Sequence, residues 1–249
     1  MTQMLASVTS VEEALLALEL GADIIDLKNP HDGALGALPL ATLASIVIAI
    51  DGRRTVSATI GDAPDDAVRI AQKVVATTAT GVDIVKIGIA TSRSQLAFWQ
   101  GKADLAGPRP ATGAGPEPAS TRLVAVLFAD KAFDLAWIDA LAERGFYGVM
   151  LDTADKRAGG LRSHCDDAQL RNFVQRAHSK HLMCGLAGSL RLDDIAPLLA
   201  LSPDYLGFRG ALCRNTSRTD QLDADAFRAV RARIFDLDAT SEPFASSVA

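Results

Sequence analysis

Ala22-Asp23-Ile24-Ile25-Asp26-Leu27-Lys28-Asn29-Pro30 decides how the chain is to be read. Asp23–Lys28 is a short run in which Ile24, Ile25 and Leu27 are set between charged residues, and the turn pair Asn29-Pro30 follows directly. That pattern is a strand ending in a tight loop. Before it, Val11–Leu20 has helical apolar spacing and starts behind Ser10, a capping residue. Working outward, the same strand-and-helix unit recurs along the whole chain.

Strands are predicted at Gln3–Val8, Asp23–Lys28, Thr55–Ile60, Asp83–Ala90, Arg122–Ala129, Tyr147–Asp152, Leu182–Ala187 and Tyr205–Arg209. Helices are predicted around Val11–Leu20, Leu40–Ile50, Asp65–Thr80, Ser92–Lys102, Ala132–Arg144, Asp166–Ser179, Leu192–Leu201 and Ala224–Ile234, with Asp62 or Asp65 capping the third. Continuous apolar strands with helices between them imply a parallel sheet covered on its outer face. Eight such units in 249 residues make a single-domain α/β protein, a (β/α)8 TIM barrel. A doubly wound open sheet is disfavoured, because no GxGxxG follows the first strand. The barrel is expected over residues 1–236, with a C-terminal tail at 237–249. One stretch breaks the pattern: 106–121 is rich in Pro and Gly and reads as a flexible insertion on the barrel's N-terminal side.

Composition excludes several functions. The net charge is −5 and aromatics are 5%, which argues against a nucleic-acid binder. Nothing resembles a bilayer-spanning stretch or a signal peptide, so a cytoplasmic protein without membrane contact is expected. Cys165, Cys184 and Cys213 are widely spaced and read as reduced thiols, and the four His show no metal-ligand spacing. Neither a metal nor a cofactor is expected. A homo-oligomer is.

The polar residues inside the strands carry the chemistry. A lysine within an apolar run is costly, because burial disfavours the ammonium. Lys28 ends the second strand, and Lys86 lies within Val82-Asp83-Ile84-Val85-Lys86-Ile87-Gly88. Side chains alternate along a strand, so Asp26 shares the inward face with Lys28, and Met150 shares one with Asp152. Strands two, four and six are all even, which sets Lys28, Lys86 and Asp152 in one layer near the mouth, with Arg209 of strand eight completing it. Two such lysines beside carboxylates point to amine chemistry on a carbonyl substrate. Small residues follow strands seven and eight, at Gly188-Ser189 and Gly210-Ala211. That is where barrels commonly hold phosphate on backbone N–H groups. Ser57 and Thr59, inward on strand three, are candidates to hydrogen-bond a hydroxylated substrate.

These motifs resemble one family. Gly21–Pro30 followed by Gly33-Ala34-Leu35-Gly36-Ala37, then Val56–Asp62, Asp83–Gly88, Leu151–Lys156, Gly185–Ser189 and Gly207–Ala211 are similar to the (5-formylfuran-3-yl)methyl phosphate synthases of methanofuran biosynthesis. The resemblance runs from strand one to strand eight and departs at 106–121. It implies a barrel enzyme, a carbon–oxygen lyase that joins two glyceraldehyde 3-phosphate molecules with loss of one phosphate and two waters. It implies that Lys28 forms a Schiff base, that Lys86 transfers protons, and that Asp26, Asp152 and Lys156 complete the site. A class I aldolase acting on a phosphorylated aldehyde, or a non-catalytic phosphate-binding barrel, remain the alternatives.

Overall fold

The structure is a computed structural model that describes residues 1–61, 66–89, 99, 120–131 and 133–241. Eight parallel strands close in sequence order into a barrel, with β8 pairing back onto β1. They are β1 (Gln3–Val8), β2 (Ile24–Leu27), β3 (Thr55–Thr59), β4 (Ile84–Gly88), β5 (Arg122–Phe128), β6 (Gly148–Asp152), β7 (Met183–Leu186) and β8 (Tyr205–Phe208). The described helices are α1 (Val11–Glu19), α2 (Leu40–Ile50), α3 (Ala67–Thr78), α4 (Ala136–Ala142), α5 (Leu161–His164), α6 (Asp167–Ser179), α7 (Leu192–Leu199) and α8 (Ala224–Ser241).

Alternation along each strand splits the core in two. Outward residues such as Ile25, Leu27, Val85, Ile87, Val149 and Leu151 pack into one cluster with the helices. Inward residues, among them Leu5, Ile24, Ile84, Val124, Val126 and Met150, fill the barrel itself. Tyr205 occupies the interior across from β7, and a Cβ on Gly185 would fall 2.1 Å from its ring. Glycine at that position is therefore required by the aromatic ring opposite it. The loop after β2 folds back as a plug, with Ala34 and Leu35 buried in the same inner cluster.

Several boundaries differ from those read in the sequence. The α3 cap is Asp66, which accepts from Arg69 N, rather than Asp62 or Asp65. Four residues, Leu161–His164, form an extra helical turn too short to carry a periodic signal. The last helix runs to Ser241, past the expected start of the tail. The helix expected at Ser92–Lys102 lies outside the described residues apart from Trp99, which is buried and edge-on to Phe146 at 5.4 Å. Of the insertion at 106–121, only Ser120 and Thr121 are described. Thr121 is buried and its hydroxyl donates to Val82 O at 3.0 Å, so it belongs to the barrel wall. Among the described residues, no helix is long and apolar enough to cross a membrane.

Candidate active site

Strand register assembles the first half of the site. Ser7, Asp26 and Ser57 lie opposite one another on β1, β2 and β3, and Thr59 lies opposite Lys86. Asp26 is fully buried, a position a carboxylate tolerates only when its lone pairs are filled. Ser7 Oγ donates to Asp26 Oδ2 at 3.0 Å, and Ser57 Oγ to Oδ1 at 2.7 Å. Lys86 Nζ stands 2.7 Å from Oδ1. Burial acts to raise the Asp26 carboxyl, but the Lys86 and Lys28 charges and the hydrogen bonds outweigh it and hold the group below the usual range.

The second half is built at the end of β6. Asp152 accepts from Thr153 N at 2.7 Å and is ion-paired to Lys156, whose amine also reaches Thr153 Oγ1 at 3.2 Å. Burial again acts to raise the carboxyl, and Lys156, then Lys28, more than offset it, so Asp152 also stays below the usual range.

Lys28 stands between these two pairs and belongs to neither. It is 8% exposed, and its amine has no hydrogen-bond or ion-pair partner among the described residues. Burial pulls its pKa down to about 8. Asp152 and Asp26 act to raise it, while Lys156 and Lys86 push it lower still. With each carboxylate committed to another lysine, the Lys28 ammonium is poorly compensated, which makes the neutral amine accessible.

A cavity of about 630 Å3 opens over Lys28. Lys28, Asp152 and Lys156 line it together with Ser7, Met150 and Ala187. On the β7 and β8 side, Gly188, Ser189, Gly210 and Ala211 complete the wall. The backbone N–H groups of these four donate to no described residue. Ser189 holds a left-handed φ of 50°, an uncommon conformation outside glycine that recurs at ligand sites. Among the described residues, no cluster of His, Cys, Asp and Glu is placed to hold a metal, and all three cysteines are buried free thiols.

The structure thus brings together Lys28, Lys86, Asp26, Asp152 and Lys156, and sets the four loop residues around one cavity. Four expected positions differ. Ser57 faces Asp26 and does not line the cavity, so its hydroxyl serves a carboxylate rather than a substrate. The Thr59 hydroxyl donates to Gly36 O at 3.0 Å and anchors the loop after β2. Arg209 follows β8 at the cavity wall, but its guanidinium is fully committed. It pairs with Glu13 through both terminal nitrogens and also donates to Ser7 O, Arg218 O and Asp220 O. Lys86, 2% exposed, is turned toward Asp26 and does not line the cavity.

Three residues escaped the sequence reading. Ser7 had a signal in its inward parity with Leu5 on β1. Glu13 looked like an ordinary first-turn acid of α1, and only the fold carries it to Arg209. Arg218 sits in the irregular stretch before α8, where no periodicity directs attention. It lines the cavity and donates to Gly33 O at 2.8 Å.

Comparison with known proteins gives the family. The family model described as 4-HFC-P synthase matches residues 4–231. A Methylorubrum extorquens protein, to which the (5-formylfuran-3-yl)methyl phosphate synthase activity is provisionally assigned, is 42% identical over 234 residues, 92% of each chain. The (5-formylfuran-3-yl)methyl phosphate synthase of Methanopyrus kandleri is 34% identical, over 87% of this chain and 91% of its own. Among solved structures, phosphoribosyl anthranilate isomerase from Thermus thermophilus superposes with a TM-score of 0.62 at 16% identity, over 95% of this chain and all of that one. The 3-hexulose-6-phosphate synthase from Salmonella typhimurium gives 0.61 at 15%, with the same coverage. At such identity these two share the barrel fold. The sequence matches span nearly the whole barrel, including every strand that carries a site residue, and the chain belongs to the 4-HFC-P synthase family, whose curated relatives are (5-formylfuran-3-yl)methyl phosphate synthases.

Proposed function

We propose that the chain is a carbon–oxygen lyase that condenses two glyceraldehyde 3-phosphate molecules into (5-formylfuran-3-yl)methyl phosphate, through an imine on Lys28, in methanofuran-type biosynthesis. The observation that carries this reading is the Lys28 amine: without a hydrogen-bond or ion-pair partner among the described residues, at the wall of the cavity, with its pKa drawn down to about 8. At that value roughly one amine in ten is neutral at pH 7, far more than for a free lysine.

The neutral amine adds to an aldehyde carbon, and the carbonyl oxygen leaves as water. The iminium withdraws electrons, so the neighbouring C–H gives up its proton, the phosphate on the next carbon leaves with the electron pair of its C–O bond, and the enol that remains is nucleophilic at the carbon the phosphate left. That carbon attacks the carbonyl carbon of the second molecule, isomerised to the ketone, whose oxygen takes a proton. Lys86 is the residue to which the proton transfers are assigned, with Asp26 holding it in place. Lys156, tied to Asp152 at the cavity wall, stands as the second cation near developing negative charge. The terminal hydroxyl of the second molecule then closes the ring on the first molecule's C2 carbonyl, and loss of two waters makes the furan, so that one phosphate and two waters are lost in all. The water released on imine formation is returned when the product is hydrolysed from Lys28. The N–H groups of Gly188, Ser189, Gly210 and Ala211, unpaired among the described residues, support this reading as a phosphate cradle.

The test is to incubate the purified protein with glyceraldehyde 3-phosphate alone. The expected product absorbs strongly in the near ultraviolet, as a conjugated furan aldehyde does, with one inorganic phosphate released per molecule. An acyclic, non-absorbing product would make the protein an aldolase instead.

A further inference from the structure

The cavity wall offers two kinds of donor that are uncommitted among the described residues. One is the cradle of backbone N–H groups after β7 and β8. The other is Arg218. The Arg218 main chain is fastened to the end of β8, since Arg209 Nε donates to Arg218 O at 2.9 Å while its terminal nitrogens hold Glu13, Ser7 O and Asp220 O. From that anchor the side chain crosses to the loop after β2, where Nη2 donates to Gly33 O at 2.8 Å. Its remaining N–H groups have no partner among the described residues. A guanidinium carries five donors in a planar fork that matches a phosphate bidentately. Here a half-buried one is held at the cavity wall by a single neutral carbonyl. Asp152 is the carboxylate that influences it, and Asp152 is already committed to Lys156 and Thr153 N. The arrangement is therefore complete in position and incomplete in charge. The Arg218 Cβ is 3.9 Å from where a Gly210 Cβ would stand, but the guanidinium is held at Gly33 in the loop after β2, with β1 between that loop and the cradle after β7 and β8.

We propose that Arg218 binds a second phosphate group, so that two phosphorylated substrate molecules occupy the cavity together, one on the N–H cradle and one on Arg218. This rests on the condensation described above, which brings two phosphorylated molecules to one amine. Arg209 and Glu13 act as positioning residues, since they fix the backbone from which Arg218 reaches.

The test compares Arg218→Gln and Arg218→Lys with the wild type in two measurements on glyceraldehyde 3-phosphate. Borohydride trapping reports the first molecule on Lys28, and turnover at low substrate reports the arrival of the second. Arg218→Gln should trap at close to the wild-type extent while its low-substrate turnover falls by about 10- to 100-fold, the scale of losing a charge-assisted hydrogen bond. Arg218→Lys should recover part of that loss. Unchanged turnover in Arg218→Gln overturns the proposal. So does parallel loss of trapping and turnover, which would put Arg218 in the first molecule's site. A wild-type protein that traps nothing refutes the imine reading rather than this one. Equilibrium binding of inorganic phosphate then decides Arg218: two sites in the wild type and one in Arg218→Gln support the proposal, and an equal number in both overturns it.

Discussion

Lys28 is an amine that the fold holds in an unfavourable state. Its pKa falls from 10.5 to about 8 because burial penalises the ammonium more than Asp152 and Asp26 relieve it. The unfolded chain therefore binds more protons between those two values, and stability rises as the pH climbs from about 8 to 10.5. Below pH 8 the full cost of the buried charge is present. Lys28→Met removes that charge while leaving Asp26 paired with Lys86 and Asp152 with Lys156. We expect this variant to be inactive yet more stable than wild type, by about 1–3 kcal/mol at pH 7, with the gain shrinking toward pH 10.5. Denaturant melts at the two pH values check it, and a destabilised Lys28→Met would mean that the amine has a partner in the folded state. Lys86→Arg poses the complementary question. Arginine keeps the charge beside Asp26 but does not give up a proton near neutrality. We expect a folded protein slowed by about 10²–10⁴-fold. Turnover near the wild-type rate would reduce Lys86 to an electrostatic partner.

At the scale of elements, α1, β8 and the stretch before α8 are joined by Glu13 and Arg209, residues 196 positions apart. Glu13 also accepts from Thr9 N at 2.8 Å and from Leu222 N at 3.2 Å, so one carboxylate closes three loop ends. Glu13→Gln leaves a buried guanidinium without its counter-ion. We expect a loss of about 3–5 kcal/mol, seen as a lowered melting temperature, and a raised KM because Gly210 and Arg218 lie on the loosened segment. A melting temperature equal to wild type would mean the pair is solvated in solution. Loop chemistry also governs the choice of variants at the cradle. Gly188 holds φ 112°, and a Cβ there would sit 3.0 Å from Thr153 Cγ2, so Gly188→Val strains the fold whatever it does to phosphate. Gly210 has no such φ and its nearest neighbour would be Thr216 O at 3.1 Å. Gly210→Val should raise KM by about tenfold with kcat nearly unchanged, since backbone donors act on ground and transition states alike. A fall in kcat at constant KM would move the cradle's action to the chemical step. These ties were not legible in the sequence. Parity states which face a side chain takes, and on that basis Ser57, Thr59 and Arg209 all point to the site. It does not state which neighbour will consume their hydrogen bonds, and each meets an acceptor contributed by a different strand, loop or helix.

The barrel as a whole was legible, because buried parallel strands are unbroken apolar runs and eight of them alternate with amphipathic segments. Parity then sufficed for Asp26 with Lys28 and for Asp152, since the sheet alone fixes those directions. What stayed hidden is how the interior is filled. Tyr205 takes up space that Gly185 leaves free, a complementarity between two strands that neither run reveals alone. Gly185→Ala would drive a methyl into that ring, and we expect a destabilisation of at least about 1–3 kcal/mol with reduced soluble expression. Retained wild-type stability would require Tyr205 to have another rotamer available inside the barrel. The proposed chemistry requires Lys28 to be the reacting amine among the site's lysines. The most direct measurement is to reduce the protein with borohydride in the presence of glyceraldehyde 3-phosphate and map the added mass by peptide sequencing. We expect a substrate adduct on Lys28, with Lys86 and Lys156 unmodified. An adduct on Lys86, or none on any lysine, would contradict it.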